Sequence, residues 1–293
     1  MMKSFPIWRS MLFLPAHIEK FVAKAHTRGA DAYILDLEDS VPASAKEEAR
    51  LMVAAGAAQV SQSGAAAIVR INQPWAMTEL DLQAVVGTGV NAIVLPKVND
   101  PDYVRDVTQK IAALEAQRDM RAGHTLLIAQ IEDVAALPRL DDIATSSPRL
   151  MGMILGSEDF SATAGMEPIP AALFGPNQQV LFACRRAGIL PMGFPASIAD
   201  YSNAEEFRAT IKLARQLGFV GAFCIHPSQV SILNEEFMPT PQEVEYAQGV
   251  ISAYAQAAEE GRGAVEFKGK MIDPPVVARA QELLRRVRSM AVK

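Results

Sequence analysis

Thr125-Leu-Leu-Ile-Ala-Gln-Ile131-Glu132-Asp133 is a seven-residue, largely apolar run that stops on two acids, and an amphipathic segment, Val134–Ala144, follows it. The same pattern then repeats, as Gly152-Met-Ile-Leu155 gives way to Gly-Ser-Glu158-Asp159. A short apolar run without strict alternation, bounded by Gly, Pro, Asp or Asn, reads as a parallel strand covered on both faces. Working outward in both directions, equivalent runs occur at Ser10–Leu14, Ala32–Leu37, Ala67–Ile71, Ala92–Leu95, Ile189–Gly193 and Gly221–Ile225. Between and after them lie segments of helical period: His17–Arg28, Ala43–Gln62, Thr78–Val86, Pro101–Gln117, Gly175–Arg186, Ala204–Leu217 and Pro227–Phe237. Eight alternations of strand and helix predict an α/β fold, a closed (β/α)8 TIM barrel over residues 1–237. An open doubly wound sheet is the competing arrangement, because alternation by itself does not prove closure.

After residue 237 the pattern changes. Pro239-Thr-Pro241 opens a helix to about Glu260, a glycine-punctuated stretch follows, and Val276–Arg288 reads as a last, basic helix. Residues 238–293 are too few to bury a core of their own. They are expected to form a C-terminal helical extension or lid that packs on the barrel or on an adjacent subunit.

The chain has 293 residues, half of them hydrophobic, and 28 basic against 33 acidic residues give a net charge of −5. That balance supplies no general field for nucleic acid or an anionic membrane. No apolar run is long enough to span a bilayer, and Met1–Ser10, carrying Lys3, Pro6 and Arg9, has no signal-like apolar core. Cys184 and Cys224 form no CxxC pair and read as buried thiols of a reducing compartment. The expected location is the cytoplasm.

In a barrel the working residues stand at the carboxyl ends of the strands. The polar residues there are Glu38, Asp39, Arg70, Asn72, Lys97, Glu132, Glu158, Asp159 and His226. Acids gathered with little histidine and no cysteine suit a hard, oxygen-seeking cation, Mg²⁺ or Mn²⁺, better than zinc. Each also has a plainer reading. An acid just past a strand commonly caps the next helix, as Asp133 could before Val134, and His226 could simply anchor its loop by hydrogen bonds. Gly87-Thr-Gly89 and the Gly64 region match neither a dinucleotide fingerprint nor a P-loop and fit turns.

Taken together, several motifs carry a resemblance. They are Arg9-Ser-Met-Leu-Phe-Leu-Pro15, Ala30-Asp-Ala-Tyr-Ile-Leu-Asp36-Leu-Glu38-Asp39-Ser-Val-Pro42, Lys46-Glu-Glu-Ala-Arg50, Val69-Arg70-Ile-Asn72 and Leu95-Pro96-Lys97-Val. Further on come Gln130-Ile-Glu132, Leu155-Gly156-Ser-Glu-Asp159-Phe, Cys224-Ile-His226-Pro-Ser-Gln229 and Gly269-Lys-Met271-Ile-Asp273-Pro-Pro. In this order, over nearly the whole chain, they resemble the citrate lyase beta-subunit-like family, which includes malyl-CoA and citramalyl-CoA lyases among the barrel aldolases.

The resemblance implies a Mg²⁺-dependent carbon–carbon lyase, with Mn²⁺ as a substitute, acting on a hydroxyacyl-CoA thioester to give an acyl-CoA and an oxo acid. It implies Glu132 and Asp159 as metal ligands, and Arg70 facing the thioester carbonyl or the substrate carboxylate. Glu38 and Asp39 are implied near the metal, directly or through water, and together with Lys97 and Arg70 are expected to bind the substrate. Asp273 is implied as a catalytic acid that enters from a neighbouring subunit of a homo-oligomer, a trimer or hexamer. Pro15-Ala16-His17 departs from the Pro-Gly common in the family, and Glu158 offers a second candidate ligand. A barrel aldolase using free pyruvate and a non-catalytic acyl-CoA-binding subunit are the alternatives.

Overall fold

The structure is a computed structural model that describes residues 5–87 and 89–291. Lys3 and Thr88, read above as part of the N-terminus and of a turn, lie outside the described residues. The chain divides into two compact units, residues 1–237 and 238–293.

In the first unit, β1 (Ser10–Pro15), α1 (Glu19–Ala25), β2 (Ala32–Asp36), α2 (Lys46–Val60), β3 (Ala66–Arg70), α3 (Trp75–Val85), β4 (Ala92–Leu95) and α4 (Pro101–Gln117) alternate. Then come β5 (Leu126–Ile131), α5 (Leu140–Thr145), β6 (Leu150–Leu155), α6 (Ser157–Ala164), α7 (Pro170–Ala187), β7 (Leu190–Met192), α8 (Ala204–Leu217), β8 (Ala222–Cys224) and α9 (Pro227–Glu236). The eight strands are parallel and follow the order β7-β6-β5-β4-β3-β2-β1-β8. Each strand therefore neighbours its predecessor in sequence, and β8 returns to β1. Two backbone bonds, Val220 N–H to the Pro191 carbonyl at 3.1 Å and Gly193 N–H to the Gly221 carbonyl at 2.9 Å, join the β7 and β8 segments. A doubly wound sheet would reverse its strand order partway and leave two edges. The sequential order excludes it, and the fold is the (β/α)8 barrel.

The physical basis is burial on both faces. All residues of β2, β4 and β6 are buried, as the unalternating runs require. Helices cover the outside through one stripe each: α4 buries Val104, Val107, Ile111 and Leu114, and α8 buries Phe207, Ile211 and Ala214. At the amino ends of the strands, two buried acids are paired with arginines. Glu115 (α4) accepts from Arg149 Nη1 at 2.8 Å and Nη2 at 2.6 Å, and from the amides of Gly123 and Thr125. Arg9 binds Asp31 through Nε at 2.7 Å and Nη2 at 2.9 Å, tying the start of β1 to the start of β2.

Four details differ from the sequence reading, each for a local reason. The segment 134–144 is a 3-10 turn, Val134–Arg139, followed by α5, because Pro138 inside it removes a helical donor. The third helix starts at Trp75, with Pro74 as its N-cap, rather than at Thr78. The segment after β6 holds two helices. α6 ends on Gly165 in the left-handed region, and α7 starts at Pro170, a residue suited to the first turn. The fourth difference is in the second unit, where α10 (Pro241–Glu259) and α11 (Pro274–Ala291) flank a hairpin of β9 (Val265–Phe267) and β10 (Lys270–Ile272). Lys268 and Gly269, both at positive φ, make its two-residue turn. Ala247, Val250, Ile272, Val277 and Ala280 form this unit's own small core.

Candidate active site

β2 ends on Asp36 and β3 on Arg70, and the two residues are register partners across the ladder. Strand pairing alone thus presents a carboxylate to a guanidinium. Arg70 Nε donates to Asp36 Oδ1 at 2.7 Å and Nη2 to Oδ2 at 2.8 Å, a bidentate pair. The amides of Glu38 and Ser40 also donate to Asp36, at 3.0 and 3.2 Å. Burial opposes the Asp36 charge, but the hydrogen bonds and charge of Arg70 outweigh it and hold the carboxyl below its usual range. Arg70 packs its guanidinium 4.7 Å over the Phe13 ring. With Nε and Nη2 engaged, Nη1 stands 3.0 Å from Glu38 Oε2, which lacks a hydrogen bond of good geometry among the described residues.

Just beyond β4, Lys97 adopts a left-handed backbone, φ 52°. This unusual conformation for a side-chain-bearing residue aims two groups at once. Its N–H donates to Glu132 Oε2 at 2.7 Å, and its Nζ reaches Glu38 Oε1 at 2.7 Å and Asp39 Oδ2 at 3.5 Å. Glu132, one residue past β5, is 3 % exposed and accepts a second bond at Oε1 from Gln130 Nε2 at 2.9 Å. Burial pushes the Glu132 carboxyl up to about 8; the Lys97 amide and Arg70 pull it down, while Glu38 and Asp159 add to the rise. Burial raises Glu38 too, against Arg70 and Lys97.

Gly156 follows β6 because nothing larger fits. A Cβ there would meet Glu132 Cγ at 2.5 Å, its Oε1 at 2.7 Å and Gln130 Nε2 at 2.9 Å. Its missing side chain lets the Glu132 carboxylate lie against the next strand. Arg70, Gln130, Glu132, Glu158 and Asp159 line one cleft of about 130 Å³, whose other wall is Ile154, Phe194, Ala196, Ile198 and Phe223.

The residues named from sequence therefore divide. Arg70, Glu132 and Asp159 share the cleft, and Glu38 and Lys97 join it through ion pairs. Asp39, its side chain 57 % exposed, stands at the margin. Asp273 belongs to the second unit, where its carboxylate accepts from the Val276 amide at 3.3 Å in the first turn of α11. Asn72 is buried beneath the β2 loop. It links Asp81 to Lys46, whose Nζ also binds the carbonyls of Leu37 and Glu38. His226 caps α9, accepting from the Ser228 amide at Nδ1, with Gln229 completing the capping box. Sequence reasoning missed Asp36 and Gln130 as site residues. A signal for Asp36 was present: a carboxylate inside an otherwise apolar strand needs a buried cation for its partner.

The donor set at this cleft fits a divalent cation. Glu132 and Asp159 supply oxygen only, and each Glu132 oxygen carries a single hydrogen bond. Gln130 Oε1 is buried without a partner among the described residues, an acceptor available to a coordinated water. No group of three or more His, Cys, Asp or Glu arranged to hold a metal occurs among the described residues. A cation bound here would be held by one or two carboxylates, with its other positions left to waters and substrate.

The sequence model of the HpcH/HpaI aldolase/citrate lyase family matches residues 9–227. The chain belongs to that family. It is 35 % identical over 290 residues to the citrate lyase subunit beta of Escherichia coli K12, covering 97 % of this chain and 95 % of that one. It is 32 % identical over 294 residues to an L-malyl-CoA/beta-methylmalyl-CoA lyase of Cereibacter sphaeroides, covering 92 % and 90 %. Among solved structures, the protein CitE of Mycobacterium tuberculosis, in complex with magnesium, acetoacetate and coenzyme A, superposes with a TM-score of 0.75 at 26 % identity, over 98 % of this chain and 100 % of that one. As a member of the HpcH/HpaI aldolase/citrate lyase family, the chain is an enzyme of the carbon–carbon lyase class. No helix among the described residues is long and apolar enough to cross a membrane.

Proposed function

We propose that this protein is a Mg²⁺-dependent lyase that cleaves, or forms in reverse, a 3-hydroxyacyl-CoA, giving an acyl-CoA and a 2-oxo acid. The observation that carries the reading is one cleft lined at once by Arg70, anchored to Asp36, and by the carboxylates of Glu132 and Asp159. The relatives' names support it: citrate lyase subunit beta, L-malyl-CoA/beta-methylmalyl-CoA lyase, and a structure holding magnesium and coenzyme A.

Glu132 and Asp159 would hold the cation. When bound, it supplies a Lewis acid and a template for the hydroxyl and carboxylate of the 2-hydroxy acid portion. In cleavage, the bond between the hydroxyl-bearing carbon and the carbon next to the thioester breaks. The hydroxyl gives up its proton to water as its carbon becomes the oxo group, and the electron pair passes into the thioester enolate. The acid that protonates the enolate carbon is reprotonated from water. Nη1 of Arg70, the part of the guanidinium not engaged by Asp36, is the donor for that oxyanion. Lys97 positions Glu132 through its N–H and neutralises Glu38 through its Nζ. Asp273 is assigned, on its Gly269–Pro275 motif, the exchange of a proton with the enolate carbon: acid in cleavage, base in condensation. Regaining that proton balances the one lost by the hydroxyl.

A second cleft supports a thioester carrying a nucleotide. About 720 Å³ in volume, it is lined by Leu12–Pro15, Phe21, Ile225 and His226, and by Lys20, Lys24 and Arg28 spaced four residues apart. Three exposed cations beside two aromatic rings suit phosphates and a base. Phe13, which belongs to this cleft's lining, meets Phe223 of the smaller one edge to face at 5.2 Å.

The test is cleavage of malyl-, citramalyl- and citryl-CoA with Mg²⁺, then with excess chelator. Metal-dependent release of acyl-CoA and oxo acid supports the reading. Turnover only with free pyruvate as donor, or no turnover with metal bound, overturns it.

A further inference from the structure

Between β7 and α8 the chain runs from Phe194 to Asn203 without regular structure, and three of its residues line the 130 Å³ cleft. Phe194, Ala196 and Ile198 of this segment form one wall, facing Arg70, Glu132 and Asp159 across the cleft. Such a strand-to-helix segment has no ladder of its own, so its position depends on what ties it down.

Two sets of ties are present. Ser197 Oγ donates to Glu158 Oε1 at 2.6 Å, Ser157 Oγ shares that oxygen at 3.2 Å, and the Ile198 amide donates to Ser157 Oγ at 3.3 Å. On the far side the Tyr201 ring stacks on His226 at 4.5 Å, interplanar angle 9°, and Gln229 Nε2 approaches the Ile198 carbonyl at 3.5 Å. Glu158 is thus engaged by two hydroxyls, and a short charge-assisted bond is the strongest tie between α6 and the segment.

The chemistry of the wall follows from its lining. It is apolar on the segment's side, and among the described residues lining the cleft Arg70 is the only cation. Asp36 holds its Nε and Nη2 in a bidentate pair, and the remaining Nη1 is the donor assigned above to the thioester oxyanion. Three carboxylates, Glu132, Glu158 and Asp159, line the same space. A substituent carrying a second carboxylate would enter among these acids without a free partner, whereas hydrogen or methyl meets only apolar surface.

We infer that Glu158 is the positioning residue of the 194–203 segment, latched to it through Ser197, and that the wall so held restricts the site to oxo acids whose substituent is hydrogen or methyl. The inference rests on the lyase reading and narrows its substrate class to malyl- and citramalyl-type thioesters over citryl-CoA.

The experiment uses the full-length protein, Glu158→Gln and Ser197→Ala, with two readouts beside activity. Expected for the unaltered protein is a kcat/KM for malyl- or citramalyl-CoA at least about tenfold above that for citryl-CoA. Each variant narrows that ratio at least about threefold. Both keep the affinity of the parent for Mn²⁺, and in both the amides of residues 194–203 exchange faster with solvent. Citryl-CoA as the preferred substrate overturns the restriction. Loss of Mn²⁺ affinity in Glu158→Gln but not in Ser197→Ala makes Glu158 a metal ligand and overturns the latch. If no thioester is cleaved at all, it is the lyase reading that has failed. The exchange rates then still decide the latch, which stands if they rise in both variants and falls if they do not.

Discussion

Replacing Asp36 by alanine is the sharpest test of how the site is built. The carboxylate is 1 % exposed and accepts four hydrogen bonds, two from Arg70 and one each from the amides of Glu38 and Ser40. Removing it leaves the Arg70 guanidinium, 11 % exposed at its side chain, with Glu38 as its nearest ionic partner among the described residues. Breaking one side of a buried pair costs about 3–5 kcal/mol, mostly because the remaining charge is left without its counter-ion. Against a typical domain stability of about 5–15 kcal/mol, that is a large fraction, and urea denaturation should report it as a lower midpoint with an unchanged slope. The double variant Asp36→Ala, Arg70→Met removes both charges and is expected to be less damaging than the sum of the two single changes, with a coupling of about 1–3 kcal/mol. In kinetics, Asp36→Ala should lower kcat for thioester cleavage about 100-fold or more, because the oxyanion donor loses its fixed direction. A single variant within about 1 kcal/mol of the parent, or a cycle without coupling, would refute the argument that Asp36 sets Arg70.

At the opposite end of the barrel the Glu115–Arg149 pair makes a pH prediction. Burial works against the Glu115 carboxylate, but the bonds from Arg149 and the Thr125 and Gly123 amides outweigh it, so its folded pKa lies below the usual value. The stability it contributes is therefore complete above the unfolded pKa of about 4.3 and is lost as pH falls through the lower folded one. The urea midpoints of the parent and Glu115→Gln should differ most near neutrality and converge in acid; a constant gap would sink the assignment. Gly156→Ala should retain the fold at a cost of about 1–3 kcal/mol while displacing the Glu132 carboxylate, seen as weaker Mn²⁺ binding by titration. Asp273→Asn is expected to abolish cleavage with Mn²⁺ affinity intact, and a near-normal rate would remove Asp273 from the mechanism.

The fold was legible because buried parallel strands write an unambiguous sequence. Runs such as Ala92–Leu95 and Leu150–Leu155 are buried at every residue, so no polar alternation interrupts them. Closure, expected from the eight alternations, was not proved by them, since it is completed by two backbone hydrogen bonds between β7 and β8 that no side chain specifies. Positions at strand ends gave Arg70 and Glu132 correctly as neighbours, because every parallel strand in a barrel delivers its carboxyl end to the same face. What position could not distinguish was which strand-end polar residues face the cleft and which brace it. Asn72 and His226 stand at strand ends like Glu132, yet one is buried under the β2 loop and the other caps α9. That difference lies in side-chain direction and in distant partners such as Lys46 and Asp81, which the local sequence does not carry.

The two ends of the barrel handle charge in opposite ways, and the contrast explains why the site invites a cation. At the amino end each buried acid meets a dedicated arginine: Glu115 meets Arg149, and Asp31 meets Arg9. At the carboxyl end Asp36, Glu38, Asp39 and Glu132 share Arg70 and Lys97, with Asp159 lining the same cleft. Asp36 takes the greater part of Arg70, and Glu38 the closest approach of Lys97. Glu132 is left with two neutral donors, the Lys97 amide and the Gln130 side chain, although it is nearly fully buried. Burial without a dedicated cation disfavours the charged form of Glu132, and Arg70 offsets this only in part. In the free protein the deficit is met by protonation, since burial pushes the Glu132 carboxyl up to about 8, and a cation arriving from outside the chain would favour the charged form again. Lys97 maintains that deficit through its backbone. Its left-handed conformation gives Glu132 an amide in place of the ammonium, and keeps the ammonium for Glu38.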